Sequence, residues 1–466
     1  MPGSQGATMA EVESSSAVRW SSRLACYLGA AGAAVGLGSI WRFPYLAGSG
    51  GGAAFILVFV LACLVIALPL LAAEFAIGRH SRRSAPAAAG AVAKEAGLST
   101  KWNAIGVLGT LAAFLVVSYY MVIAGWVLAY AFKCGVGELS RAGPEHVGEL
   151  WPGFLSRPWE IGAWHALFVL LVAYVSARGL NRGIEVANKI RGPGLLILLG
   201  ILVVYSLLTA DVRRGLEFAF RPDFSAINAQ VLLTAIGQAF YATGVGQAMM
   251  IAYGAYIPAG TSLVRTSFVI CASILLVSLL STLIVFPLVF AYGMNPAQGS
   301  QLVFEVLPRV FTEMPAGRLI GTLFFVLLVL AALMPSIASF EPSVAWLMQR
   351  FGWSRGKAVS AMALASWFVG LGSVLAFNVW AGWKPLSFVP GLADRNFFDA
   401  VDYVSSNIML PVGAILTSLF LGWRVDRMFA EVELAETTPF GRRACVWLLR
   451  YVCPLAIVAV FIAALS

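Results

Sequence analysis

The sequence predicts an all-α integral membrane protein, a bundle of eleven membrane-crossing helices. Three observations predict it. Of the 466 residues, 60% are hydrophobic and only 11% charged, whereas a soluble domain carries about 25% charged residues. The apolar residues gather into runs close to the roughly 20 residues that a helix needs to cross a bilayer. Those runs also lack the period-two alternation of a membrane barrel strand.

The runs fall at 24–48, 53–78, 104–133, 161–178, 184–209, 227–256, 262–292, 318–349, 357–379, 397–423 and 443–465. Charge marks their ends. The first follows Arg19 and Arg23. The second stops at Arg79, Arg82 and Arg83, and the third begins after Lys94 and Lys101. Arg178 and Arg182 separate the fourth from the fifth, with Lys189 and Arg191 just inside the latter. Arg350, Arg355 and Lys357 divide the eighth from the ninth. Arg424, Arg427, Arg442 and Arg443 lie between the tenth and eleventh. The loop between the third and fourth runs mixes signs, with Glu138, Arg141, Glu145, Glu149, Arg157 and Glu160. Basic residues thus concentrate in alternate loops, the positive-inside pattern. This accounts for the net charge of +9 without a nucleic-acid partner. It places the N-terminus in the cytoplasm and, with eleven spans, Ser466 outside the plasma (inner) membrane. The polar residues 1–20 read as a disordered cytoplasmic tail, 21–423 as a ten-helix core, 424–442 as a cytoplasmic loop and 443–466 as the extra helix.

An enzyme reading finds no constellation. Four of the six cysteines (Cys26, Cys63, Cys271, Cys453) lie inside the runs, in no metal or disulfide spacing. His80, His146 and His165 are scattered, and no nucleophile elbow, P-loop or HExxH motif occurs. No cofactor is expected.

Two runs carry signs of a broken helix. GAAVGLGS, residues 32–39, places three glycines in the first, and TGVG, residues 243–246, sits at mid-depth of the sixth. Glycine inside a helix costs about 1 kcal/mol relative to alanine. Unwound backbone at membrane depth is tolerated only where it lines a cavity or is buried in protein. Interrupted helices at matching positions of two halves point to a transporter binding site. The freed amides attract a carboxylate and the freed carbonyls a cation. Close packing through small residues is the competing account of either stretch alone.

At GAAVGLGSIWRFPYLAGSGGGAAF the chain resembles the neurotransmitter:sodium symporter family. AEFAIGR (73–79), VVSYYMVIAGW (116–126), GIEVANKIRGP (183–193), GQAFY (237–241) and Phe286-Pro287 extend the resemblance. It implies the leucine-transporter fold: two inverted five-helix repeats, about 21–210 and 227–423, with helices 1 and 6 discontinuous. It also implies sodium-driven, alternating-access uptake of an amino acid or related amine. By position, the resemblance implies a substrate site from Ala34, Gly36, Leu37, Gly38, Val116, Tyr120, Tyr241, Gly244, Gln247 and Ser339. Gln247 and Ser339 lean towards a polar or sizeable amino acid. Arg42 and Asp402 match an outer-gate ion pair. The Gly183…Pro193 spacing matches a pattern that lets the start of helix 5 unwind.

Several positions depart from the family. The first sodium site would comprise Ala34, Ser39, Ala242 and Ser273, but Ser39 replaces the usual asparagine and Ala242 a hydroxyl residue. In the second site, carbonyls at Gly32, Val35 and Ala331 would be completed by two hydroxyl residues. Met334 and Pro335 stand there instead. A thioether is soft and sodium is hard, and proline supplies no hydroxyl. Arg191 is therefore a candidate tethered cation, although a cytoplasmic positive-inside arginine is the simpler reading. Glu185 and Glu341 are candidates for proton coupling. Gln349 replaces the inner-gate aspartate, and Val277 stands where a chloride-site carboxylate is expected. Three functions follow: a sodium symporter, a sodium-independent or proton-coupled carrier, and a receptor that binds an amino acid without moving it. The sequence assigns no oligomeric state.

Overall fold

A computed structural model describes residues 19–221, 224–258, 260–294, 302–389 and 392–465. The expected tail lies outside these residues up to position 18. Numbered in chain order, span 2 is Ala53–Ser81, span 3 Thr100–Gly135, span 4 Pro158–Ala177, span 5 Leu180–Thr209 and span 7 Leu263–Ala291. Span 8 is Gly317–Phe351, span 9 Arg355–Leu375, span 10 Phe397–Arg424 and span 11 Pro439–Ile462. These nine are each long and apolar enough to cross a membrane among the described residues. Span 1 is a tenth, made of Arg23–Ala34 and Gly38–Ser49, which meet at a bend of 55°. Span 6 is also in two pieces, Ala229–Thr243 and Met249–Gly254. Both breaks read from the glycines are present.

Their local causes differ. In span 1, Val35 takes extended backbone (φ −73, ψ 101) and ends the first half. A π-turn, Gly38–Arg42, then leads into the second half. In span 6, Gly244, Gly246 and Ala248 all have positive φ, +67, +87 and +54. Three left-handed residues at alternate positions cannot continue a right-handed helix. A side chain at Gly246 would put its Cβ 2.5 Å from the Leu410 carbonyl oxygen, so span 10 approaches the break directly.

Span 3 packs along span 8, and both run through the centre of the bundle. Spans 2 and 7 pack against the second half of span 6 and the first half of span 1 respectively. The outer surfaces of spans 4, 5 and 11 expose Leu170, Ile190, Leu208 and Leu455, apolar side chains suited to lipid. Trp20, placed in the tail by the sequence, is instead buried, 4% exposed. Its ring stands edge-on to Tyr253 at 5.4 Å, and its N–H donates to the Tyr256 carbonyl.

Candidate functional site

The two breaks pack against each other beside span 3, with Gln238 Nε2 donating to the Gly38 carbonyl at 2.8 Å. Between them lies a cavity of about 40 Å³. It is lined by Ala33, Ala34, Gly36 and Gly38 of span 1, Val116 and Tyr120 of span 3, Tyr241, Ala242, Gly244, Gln247 and Met249 of span 6, and Pro335 and Ser339 of span 8. Nine of the ten substrate-site residues expected from the sequence therefore share one cavity. Leu37, the tenth, is buried beside it, and its N–H donates to Tyr120 Oη at 3.2 Å. Met249 and Pro335 are further lining residues. Met249 is legible only once the break at 244–248 turns its helix end inward. The volume holds a few waters and is less than an amino acid needs.

Shape at the span 1 break depends on missing side chains. A Cβ on Gly36 would lie 2.8 Å from Pro335 Cγ and 3.0 Å from Tyr120 Oη. The Tyr120 hydroxyl thus reaches unwound backbone, where a carboxylate would find both amide and hydroxyl donors. On the other wall, Ser339 Oγ donates to Gln247 Oε1 at 3.4 Å and lies 3.3 Å from Met249 Sδ. Those polar atoms satisfy one another. None of the lining residues is charged.

Tyr241 closes the cavity on one side. The Arg42 guanidinium lies over its ring at 4.3 Å, a cation–π contact. Beyond Tyr241 a second cavity of about 210 Å³ opens, with Arg42, Gln238, Ser406 and Pro411 in its walls. The expected Arg42–Asp402 ion pair is not formed in this conformation. Asp402 Oδ1 accepts instead from Tyr119 Oη at 2.6 Å and from Ser406 Oγ at 2.9 Å. Both partners lie near the Tyr241 lid, and the wide cavity keeps that side open.

The opposite side is shut. Glu341 receives two hydrogen bonds from Arg355, at 2.9 and 2.7 Å, and one from Tyr256 Oη at 2.7 Å. Glu185 holds Ser21 through its backbone N–H at 2.8 Å and its hydroxyl at 2.6 Å. Both candidate proton carriers are thus bound into the packing around Trp20. Gln349 Oε1 accepts from the Ser84 N–H at 2.9 Å. It supplies a polar contact where an aspartate was expected, without an ion pair.

Of the expected first sodium site, Ser39 keeps the clearest feature. Its hydroxyl is fully buried and has no hydrogen-bond partner among the described residues. Such a group is costly unless something binds it, so an oxygen-seeking cation fits. Ala34 and Ala242 are buried in the wall of the substrate cavity. The Ser273 hydroxyl donates to the Val269 carbonyl of its own helix at 2.7 Å, which leaves its oxygen lone pairs available.

At the expected second site, Arg191 has arrived. Its side chain reaches inward from span 5 and is only 5% exposed. It donates to the carbonyls of Gly32 at 3.3 Å, Val35 at 2.5 Å and Leu330 at 3.0 Å. The reading of Arg191 as a surface positive-inside residue is therefore incorrect, because burial and three carbonyl partners hold it in the bundle. Leu330, not Ala331, supplies the span 8 carbonyl. Met334 is fully buried nearby and Pro335 faces the substrate cavity.

Glu74 was missed altogether, although a lone carboxylate inside a span is a functional signal by default. It is 1% exposed and accepts from the Gly246 N–H at 2.7 Å. A carboxylate on span 2 thus holds the unwound turn of span 6.

The profile of the Sodium:neurotransmitter symporter family matches residues 18–147 and 157–465. An uncharacterized sodium-dependent transporter of Bacillus subtilis is 35% identical over 448 residues, spanning 96% of this chain and 97% of the relative. One of Haemophilus influenzae is 33% identical over 454 residues, 95% and 97% of the two chains. The crystal structure of MhsT in complex with L-phenylalanine is similar at a TM-score of 0.86 and 37% identity, covering 96% of this chain and 99% of that one.

Proposed function

This chain belongs to the sodium:neurotransmitter symporter family, and on that premise we propose that it carries a large neutral amino acid across the inner membrane by alternating access. The observation that carries the reading is the convergence of two helix breaks on one cavity that contains the Tyr120 hydroxyl. The amino acid's carboxylate binds the unwound backbone at Gly36–Gly38 and Tyr120. Its side chain lies against Val116, Gly244 and Met249. Gly244 contributes no side chain, and Met249 is flexible enough to swing away and enlarge the space. A charged side chain would be buried without a partner there, at a cost of several kcal/mol. The phenylalanine bound to the similar MhsT agrees in size and charge.

The first sodium site is the seat of ion coupling in this reading. Ser39 Oγ and the carbonyls of Ala34 and Ala242 would hold the ion, which when bound supplies positive charge beside the substrate carboxylate. Arg42 and Asp402 pair when the open side closes over Tyr241. That open side is external, and the side of Trp20 and Arg355 is cytoplasmic, with the N-terminus.

Uptake of radiolabelled L-phenylalanine into proteoliposomes, in sodium and in choline at matched ionic strength, tests the proposal. Saturable, sodium-stimulated uptake competed by large neutral amino acids, and not by glutamate or lysine, is the expected result. Binding without uptake would convert the transporter into a receptor. Failure of every one of the twenty amino acids to bind would overturn the assignment.

A further inference from the structure

We infer that the Arg191 guanidinium permanently occupies the position of the second sodium ion, so that one of the family's two coupling ions is replaced by a cation built into span 5. The inference deepens the proposed function, because it concerns the ion stoichiometry of the same transport cycle.

The backbone explains why a cation belongs there. The first half of span 1 ends at Ala34, so its last carbonyls have no helical partners. They also carry the negative end of that half-helix dipole. Gly32 and Val35 are two of these groups, and both accept from Arg191. The third partner, Leu330, belongs to span 8. One guanidinium therefore ties span 1 to span 8 at the level of the break, which is the task a bound ion would perform.

The donor set is wrong for sodium itself. Sodium, like other hard cations, needs an oxygen shell. At the two span 8 positions where the family resemblance expects hydroxyls stand a thioether and a proline, Met334 and Pro335, neither of which supplies an oxygen. A guanidinium has the opposite need. It presents five N–H donors, accepts nothing, and keeps its charge at every physiological pH. Carbonyls alone satisfy it. The substitution of the two hydroxyl positions by Met334 and Pro335 and the presence of Arg191 are thus one coherent change. With the guanidinium at hydrogen-bond distance from Gly32 and Val35, no volume remains for an ion on the same carbonyls.

A tethered cation also changes the cycle. It cannot dissociate into the cytoplasm, so opening of the inner side must proceed by withdrawal of Arg191 from span 1 as span 5 moves. Asn188, one turn earlier on span 5, makes a parallel bond to the Leu28 carbonyl at 2.6 Å. Span 5 therefore grips the first half of span 1 at two levels, and both grips must release together.

Counting bound radioactive sodium on the purified full-length protein, at saturating sodium and with choline as the replacement cation, tests the inference without any variant. No more than one ion per chain is expected, and two ions would overturn it. A second arm titrates sodium against thermal stability in Arg191→Ala and in Arg191→Ala/Met334→Thr/Pro335→Ser. The triple variant should gain a sodium-dependent stabilisation beyond that of the wild type. Its half-saturating sodium should lie roughly tenfold or more below that of Arg191→Ala, as expected for added ligand oxygens worth over a kcal/mol each. A folded triple variant with the wild-type sodium response would also overturn the inference. Thermal stabilisation by L-phenylalanine is read on the same samples. Its absence would count against the substrate reading alone, since the sodium count does not depend on it.

Discussion

Tyr120 shows how one hydroxyl can accept from the backbone and still donate to a ligand. It accepts from the Leu37 N–H and has its own proton free for a carboxylate. Tyr120→Phe removes that donor while keeping the ring. Hydrogen bonds to charged groups contribute about 1.5–3 kcal/mol, so L-phenylalanine should bind roughly 10- to 100-fold more weakly; an unchanged dissociation constant in isothermal titration would refute the role. Arg42, by contrast, could be named from the sequence and its contact could not. An arginine and an aspartate on two sides of an open cavity pair only when the cavity closes. In this conformation the guanidinium rests on Tyr241 and the aspartate on Tyr119. Ser39 was legible as an anomaly, since serine is shorter than asparagine. That its hydroxyl is buried and unpartnered depends on what span 7 and span 6 place around it.

The broken spans are the elements where sequence and structure agree most closely. Glycines mark both interruptions, but they act differently: Gly244 and Gly246 take left-handed backbone that glycine adopts without steric cost, whereas span 1 leaves the helix at Val35. What holds the second break in place was not visible in its own sequence. Gly246 offers an N–H that no helix partner can accept, and Glu74 comes from span 2 to accept it. Glu74→Ala should leave that buried amide unpaired and cost about 1–3 kcal/mol. Glu74→Gln keeps an acceptor oxygen and should lose much less. Thermal or chemical unfolding of the two variants decides this, and equal losses would show that the charge rather than the hydrogen bond matters. Helix 5 illustrates the limit of reading an element by itself. GIEVANKIRGP looks like a helix start beside a charged loop, yet the helical turn directs Arg191 inward and leaves Lys189 outside, the one 5% exposed and the other exposed.

At the scale of the whole molecule, a clamp joins the ends of distant elements on the closed side. Arg79 of span 2 bonds Glu433 Oε2 at 2.7 Å and the Thr261 carbonyl at 2.6 Å, while His80 bonds Glu433 Oε1 at 3.1 Å. Glu433 lies between spans 10 and 11. Burial raises its affinity for a proton, but the hydrogen bond from His80 and the charge of Arg79 outweigh burial and hold the carboxyl below its ordinary value. A carboxylate with a depressed value stabilises the fold fully above its unfolded titration, at about pH 4.3. That contribution is lost as pH falls further, through the lower folded value. Wild type should therefore exceed Glu433→Gln in melting temperature at neutral pH, with the gap narrowing below about pH 4.3; a gap constant from neutral to acid would reject the clamp. The sequence by itself determined the membrane class, the span order, the positions of both breaks and most of the cavity wall. The membrane class, span order and breaks follow from hydropathy and glycine placement, which act locally along the chain, and the cavity wall from the family resemblance. Only the tertiary structure decided that Arg191 sits on the carbonyls of Gly32 and Val35, that Glu74 holds Gly246, and that Arg42 and Asp402 stand apart. Each of those concerns residues more than a hundred positions apart, whose separation in space is set by how whole helices pack.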